Sequence, residues 1–389
     1  MRSTSLRPLA ATVVLLGTLL AGCSGDSEPA VQPSAEPTPA PQSYTVDPAV
    51  DVRLLPQLAA AGGVAEAADN ADWVVDVSVK GADTGALVEL ESQGQDGWEV
   101  VDSADLDRKG RATLLSPASG KLRVVADREE MTGSKAIDTA DLDAPNLSDE
   151  FDSLDPDLWV TRAQGYVGVR TCSRADDAAA SAANGVLSLS VLDDPDRNTC
   201  KVDGAKHAYR LNGHIGTQNS YFFRYGFAAA RIKFQPGRGQ HAAFWLQSPV
   251  GGAGGPETGG GEIDIIEYFG DGTKTGGLTQ WSYWYDGANI KKSGGFVADH
   301  EKYGSDWSEK FHVFSVEWTP KEYVFRIDGK VSFRTKKGIS QIPEFIVLSL
   351  LSSDYELKHQ RDSTLPQTME VDWVRVWDAE TEQGTFADR

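Results

Sequence analysis

From Leu147 onward the apolar residues of this chain fall in short runs closed by Gly, Asp or Pro, and no long segment repeats with helical period. The runs include "GVLSLSV" from Gly185, "YGFAAARIKF" from Tyr225, "HAAFWLQ" from His241, "FHVFSVEW" from Phe311, "FIVLSLL" from Phe345 and "MEVDWVRVW" from Met369. Each reads as a strand, because apolar and β-branched residues at this length and spacing suit a pleated, buried surface. "EYVFRI", Asp328-Gly329 and "KVSF" read as a tight hairpin, since Asp-Gly supplies the positive φ that such a turn needs. Residues 147–380 are therefore predicted to form a large antiparallel β-sandwich of jelly-roll type, with helices minor.

A smaller unit precedes it, over residues 44–141. "WVVDVSVK" (Trp73–Lys80), "ALVELES", "WEVVDS", "RATLL" and "KLRVVA" alternate with Gly- and Asp-rich turns. This spacing suggests a small immunoglobulin-like β-sandwich, so the whole chain is expected to be all-β. The unit has no clustered His, Cys or paired Glu and is expected to be a spacer or interaction module. Trp73 and Trp98 could stack on sugar, although a Trp in a strand more often packs inward.

The chain has 389 residues, with 57 acidic against 37 basic and a formal net charge of −20. Such a balance repels nucleic acid and anionic lipid and suits a neutral partner. Arg2 and Arg7 precede an apolar run from Leu9 to Ala21, too short to span a bilayer and typical of a signal peptide. It ends in "LAGC", which resembles the lipobox of bacterial lipoproteins and implies a lipidated Cys23 after a signal over residues 1–22. Residues 23–43 hold five prolines among small and acidic residues, and such a sequence favours an extended stalk. The expectation is a monomer anchored by lipid to the extracellular face of a bacterial membrane, or otherwise secreted. Cys172 and Cys200 remain; in an exported chain a pair is most simply a disulfide.

The stretch "GEIDIIEYFG", Gly261 to Gly270, sets Glu262, Asp264 and Glu267 among strand-forming residues. Alternation puts Glu262 and Asp264 on one face and Ile263 and Ile265 on the other. Residue 266 should rejoin the carboxylates but is Ile, so Glu267 reaches their face only through one extra residue near Ile265–Ile266, a β-bulge. Without it, an unpaired carboxylate would be buried at a cost of several kcal/mol. Two carboxyls on one face, with a third between, suit retaining glycoside hydrolysis, which needs a nucleophile and an acid about 5–5.5 Å apart. The alternative is a solvated acidic strand face.

The motif Glu262-Ile263-Asp264-Ile265-Ile266-Glu267 resembles that of glycoside hydrolase family 16, in the bulged form of its laminarinase-like members. "DEF" at Asp149, "NGHIGTQ" at Asn212, "YGFAAARIKF", "AAFWLQ", "FHVFSVEWTP" and "VDWVRVW" extend the similarity over roughly Leu147 to Asp378. The resemblance implies a concanavalin-like jelly roll. It implies Glu262 as nucleophile, Asp264 as its hydrogen-bonding neighbour and Glu267 as acid and then base. No cofactor is implied.

Trp245 resembles a position lining the sugar cleft, with a core Trp as the competing reading. Trp281, Tyr283, Trp284 and Tyr285 alternate between two faces, so some can stack on sugar; Trp284 is taken as a substrate contact. His241 stands where laminarinase-like relatives usually have Trp, and reads either as a substrate contact that favours a more polar or branched glycan or as a residue packed under the cleft. Asp372 resembles a calcium-binding position in some relatives, but one acidic residue at a strand end reads as a turn or surface group, and no metal is expected. The leading expectation is an endo-acting hydrolase of extracellular β-1,3- or mixed β-1,3/1,4-glucan. A transglycosylase that remodels the envelope would use the same residues, and a non-catalytic jelly-roll lectin would bind sugar without Glu262.

Overall fold

Twelve main strands form the large unit, and the six before them form the small one. The structure is a computed structural model and describes residues 43–383 apart from 61–70, 253 and 360. The signal segment, Cys23 and the Pro-rich stretch through residue 42 lie outside the described residues.

In the small unit, β1 (Val50–Ala59), β2 (Asp72–Val79) and β5 (Arg111–Ser116) make one sheet. The strands β3 (Leu87–Gly94), β4 (Gly97–Asp105) and β6 (Lys121–Asp127) anchor the other. Val75, Val77, Leu90, Leu114, Leu122 and Val124 fill the space between the sheets. Trp98 does not offer a free ring, because the Arg123 guanidinium lies 4.3 Å from its centroid and 3.9 Å from that of Tyr44. Trp73 is half-buried, with its Nε1 enclosed.

The large unit runs β7 (Val186–Asp193), β8 (Arg210–Gly216), β9 (Tyr221–Lys233), β10 (His241–Gln247), β11 (Gly261–Tyr268), β12 (Leu278–Asp286) and β13 (Asn289–Phe296). It continues with β14 (His312–Trp318), β15 (Tyr323–Ile327), β16 (Lys330–Thr335), β17 (Phe345–Leu351) and β18 (Gln367–Gln383). The hydrogen-bonded order is β13-β12-β11-β10-β17-β8-β7-β18-β9-β14-β15-β16. The path turns at β8, whose Arg210–Asn212 part pairs with β7 and whose Gly213–Gly216 part pairs with β17. The two halves thus face each other as a sandwich, with Phe244, Leu246, Ile263, Ile346 and Leu348 of one packed in one core with Ala228, Ile232, Phe314, Val316 and Val374 of the other. A Ser293–Thr335 hydroxyl pair at 2.9 Å joins the two end strands β13 and β16. Among the described residues the only helices are short 3₁₀ turns.

The small unit does more than space. Leu55, Leu58, Ala59 and Val74 pack with Ala229, Val313 and Trp373 on the outer face of the β18-β9-β14 half. The Asp328-Gly329 turn, with φ of 44° and 75°, lies at this seam. A Cβ on Gly329 would sit 2.7 Å from Val74 Cγ2, so the position needs glycine for contact as well as for φ. The Asp328 carboxylate accepts from Val313 N at 2.8 Å and Ala60 N at 3.4 Å, and binds His312 Nδ1 at 2.6 Å. Arg326 meets Asp76 at 2.6 Å and Arg53 meets Glu317 at 2.6 Å across the same boundary.

Cys172 and Cys200 form a disulfide, with Cα atoms 5.7 Å apart. Asp372 is not a turn or surface group: it is buried in β18 and paired with Arg231.

Candidate active site

Strand β11 lies between β10 and β12, and its register slips once. Against β10, Phe244 faces Ile266 and Trp245 faces Asp264, so Ile265 is the extra residue. Against β12, the pairs step from Asp264–Trp281 to Glu267–Thr279. Ile263, Ile265 and Ile266 are all fully buried in the core, which is the bulge that the apolar pattern requires. Glu262, Asp264 and Glu267 share the opposite face, with Asp264 itself buried to 5% exposure.

Neighbouring strands supply the rest of this face. Gln247, Trp245 and Ala243 lie opposite Glu262, Asp264 and Glu267 on β10, and Tyr283 and Trp281 lie opposite Glu262 and Asp264 on β12. Trp245 donates from Nε1 to Ser349 Oγ at 3.2 Å. Its ring stacks at 21° on His214, with centroids 6.3 Å apart, and the Arg162 guanidinium is 5.2 Å from its centroid. Trp245 thus lies on the carboxylate face. A cavity of about 330 Å³ opens at the Glu262 end, lined among others by Gln247, Gly261, Tyr283, Trp284 and Tyr285.

Two expected substrate contacts are placed differently. Trp284 pairs with Gly261, on the strand face away from Glu262. Its ring packs so closely on Gly338 that a Cβ there would lie 2.1 Å from it, although Trp284 still borders the cavity. The aromatic residues of β12 on the carboxylate face are Trp281, Tyr283 and Tyr285. His241 offers no exposed platform: it is buried, its ring stacks on Phe269 at 5.2 Å, and its Nε2 lies 4.0 Å from Glu267 Oε1.

Burial sets the electrostatics. It raises Glu267 to about 7, helped by the charge of Glu262 and opposed by the Thr279 hydroxyl, which donates at 2.7 Å. Asp264 is pushed well above the usual carboxylate range by burial, then by Glu267 and Glu262. Burial also raises Glu262, but the Arg162 and Arg170 guanidinium groups pull it back down. Of the three, Glu262 is the carboxyl whose charged form neighbouring cations favour, while burial and the other carboxyls favour the protonated form of Asp264 and Glu267. Behind this strand, the buried Glu344 accepts from Gly261 N at 2.9 Å, and burial raises it to about 8. Burial lowers both His214 and His241 to about 3, so both imidazoles are neutral at ordinary pH.

Sequence reasoning missed Tyr283 as the better of the β12 aromatics, although the register of Glu262 would have selected it. It also missed Arg162 and Arg170, which lie in the irregular stretch "RAQGYVGVR", where no strand period assigns a direction to a side chain. His214, within "NGHIGTQ", carries no sequence signal that marks it for the site.

A sequence profile described as Glycosyl hydrolases family 16 matches residues 177–375, just over half of the chain. The chain is 24% identical over 211 residues to the glucan endo-1,3-beta-glucosidase A1 of Niallia circulans, covering 50% of this chain and 30% of that protein. It is 24% identical over 241 residues to the keratan-sulfate endo-1,4-beta-galactosidase of Sphingobacterium multivorum, covering 59% and 54%. It thus spans between about a third and a half of those relatives' lengths. The solved laminarinase catalytic domain from Thermotoga maritima matches 60% of this chain and 97% of its own, with 22% identity and a TM-score of 0.48. On the extent of the profile match, with the E-x-D-x-x-E strand inside it, this chain belongs to glycosyl hydrolase family 16.

Proposed function

We propose that the chain is a retaining, endo-acting β-glycoside hydrolase of extracellular polysaccharide, with β-1,3- or mixed β-1,3/1,4-glucan as substrate. The observation that supports this most is the bulged strand β11, which turns three carboxyls to one face and gives them unequal proton affinities. Glu262, the carboxylate opposed by two arginines, attacks the anomeric carbon and forms a glycosyl ester as the glycosidic C–O bond breaks. Glu267, protonated near neutral pH, gives its proton to the departing oxygen. It then takes a proton from water, whose oxygen attacks the anomeric carbon and frees Glu262. Asp264, protonated beside the nucleophile, shares a hydrogen bond with it and steadies its charge as the ester forms and breaks. Trp245, Trp281 and Tyr283 offer aromatic surface to the glycan.

Among its relatives, one is named for endo-1,3-β-glucan cleavage and another, from Rhodothermus marinus, is a beta-glucanase. The test is early-time NMR of the new reducing end on laminarin and mixed-linkage glucan. The β-anomer should appear first; an α-anomer appearing first would remove the covalent route. We further propose, from the sequence alone, that Cys23 is lipidated and anchors the enzyme at the outer face of a bacterial membrane. Wild-type protein should then partition with membranes and Cys23→Ser protein should not; equal release of both into the medium would refute the anchor.

A further inference from the structure

The Glu262 side of the carboxylate face holds polar groups that the fold itself leaves unmatched. Arg162 is held in place by its own N, which donates to His214 O at 2.8 Å, and by Nη2, which donates to Gln247 Oε1 at 2.5 Å. Its Nη1 is enclosed and has no partner. Arg170 has an enclosed Nε in the same condition. Its loop is fixed: Thr171 N and Oγ1 donate to Asp354 Oδ2 at 2.8 and 2.7 Å, and the next residue is the disulfide-bonded Cys172. Among the described residues neither arginine has a carboxylate in an ion pair, and both His214 ring nitrogens and His241 Nδ1 are enclosed without partners. Enclosed donors are normally satisfied, so a cluster left open on one face marks the place of a ligand that supplies acceptors.

Glu262 acts on both arginines and they on it, and Asp354 acts on Arg170 as well. Burial favours the protonated form of Asp264 and Glu267 and the neutral form of both imidazoles, and Asp354 offsets part of the charge of Arg170, so the open Nη1 of Arg162 is the donor least answered by the protein. A planar guanidinium is a fork that fits the oxygens of a sulfate or carboxylate.

We infer that Arg162 and Arg170 form a subsite for an anionic substituent of the glycan, a sulfate ester or a uronate carboxylate, seated beside Glu262. This rests on the glycosidase reading of the same face and adds to its β-glycan substrate a charged substituent on the backbone. The net charge of −20 opposes approach from a distance, but such repulsion fades over about 8 Å at physiological ionic strength, whereas the arginines act at contact.

The experiment measures binding apart from turnover, in Glu267→Gln protein, which keeps Glu262 and both arginines. Calorimetry compares β-1,3-glucan and β-galactan oligosaccharides in three forms: neutral, chemically sulfated, and oxidised at C6 to uronate. One charged form should bind at least about tenfold tighter than its neutral counterpart, as expected for a charge-assisted pair, and the form that gains identifies the substituent. Adding Arg162→Gln or Arg170→Gln should remove that advantage and leave neutral binding within a few-fold. Equal affinity for charged and neutral forms overturns the inference, as does an advantage that survives both arginine changes or a failure of every charged form to bind. If the arginines serve only to keep Glu262 ionised, their loss in otherwise wild-type enzyme shifts the pH profile equally on neutral and charged glycans, which also overturns it. Cleavage is scored separately with wild-type enzyme: charged oligosaccharides bound but never cut would defeat the hydrolase reading and leave the subsite standing.

Discussion

The two halves of the large sandwich bury ionisable residues in different ways. In the β18-β9-β14-β15 half, Arg231 is paired with Asp372, His312 with Asp328, Arg326 with Asp76 and Glu317 with Arg53. In the β12-β11-β10 half, Glu262, Asp264, Glu267, His214 and His241 lie together, and the nearest approach of opposite types is His241 to Glu267 at 4.0 Å. A buried ion is tolerated when paired, and an isolated one shifts its proton affinity or awaits a ligand. The first half therefore uses charge to join the small unit to the large one. The second keeps charge available for chemistry.

The largest effect is expected at Glu262 and Glu267, the proposed nucleophile and acid. Glu262→Gln and Glu267→Gln should each lower hydrolysis by about 10²–10⁴-fold or more. Thermal unfolding should stay near wild type at neutral pH, because each amide replaces a buried carboxyl that lacks a charged ion-pair partner and can still accept a hydrogen bond through its oxygen. Residual activity above a few per cent in either variant would end the assignment of roles.

The paired half should respond in the opposite way. Asp328→Ala leaves His312 and two backbone N–H groups without their partner, and should cost about 3–5 kcal/mol in a denaturant titration. Specific activity of the folded fraction should remain. An unchanged midpoint would mean that the seam does not stabilise the protein. Opening Cys172–Cys200, which spans 28 residues, should cost about 3–4 kcal/mol by the loop-entropy account, and the same titration with and without reductant measures it.

The smallest effect is a pH dependence, and its sign is fixed by the direction of the shift. Glu267 rises from 4.5 to about 7 on folding, so the folded state holds a proton that the unfolded state releases. The stability tied to that proton is fully present below about pH 4.5 and is lost as pH rises towards 7, by up to about 3 kcal/mol. Glu267→Gln should flatten that part of the curve, and the wild-type kcat/KM should fall on its alkaline side near pH 7. A slope unchanged in the variant would place the titration elsewhere, with Asp264 and Glu344 the next groups to replace.

Much of this arrangement could be read from residue order. The strands of the large unit keep the apolar patterns that mark them, Asp328-Gly329 makes the turn its dipeptide predicts, and the second Ile of "IDIIE" marks the bulge. Strand β1 was missed because Pro56 interrupts it; the register against β2 slips around that residue, and a bulge is where a sheet accommodates proline. The seam was hidden because Ala229, Val313 and Trp373 lie on strands already assigned a core face, although "FAAARIKF" is apolar enough on both faces to suggest cover on each. The roles of His241 and Trp284 depended on side-chain direction across neighbouring strands, which a single strand's order does not carry. Arg162 and Arg170 reach the carboxylate face from a loop, and only the disulfide and the Asp354 contacts locate them.

The bulge in β11 also sets how this strand can change by descent. Deleting either Ile265 or Ile266 would leave E-I-D-I-E, in which plain alternation still turns all three carboxyls to one face. The loss would be one buried isoleucine, while the outer carboxyls, which already face Gln247 and Ala243 on β10, would keep their spacing across the sheet. A single-codon deletion thus keeps the three carboxyls on their common face, whereas inserting a residue anywhere else between Glu262 and Glu267 turns a carboxylate into the core.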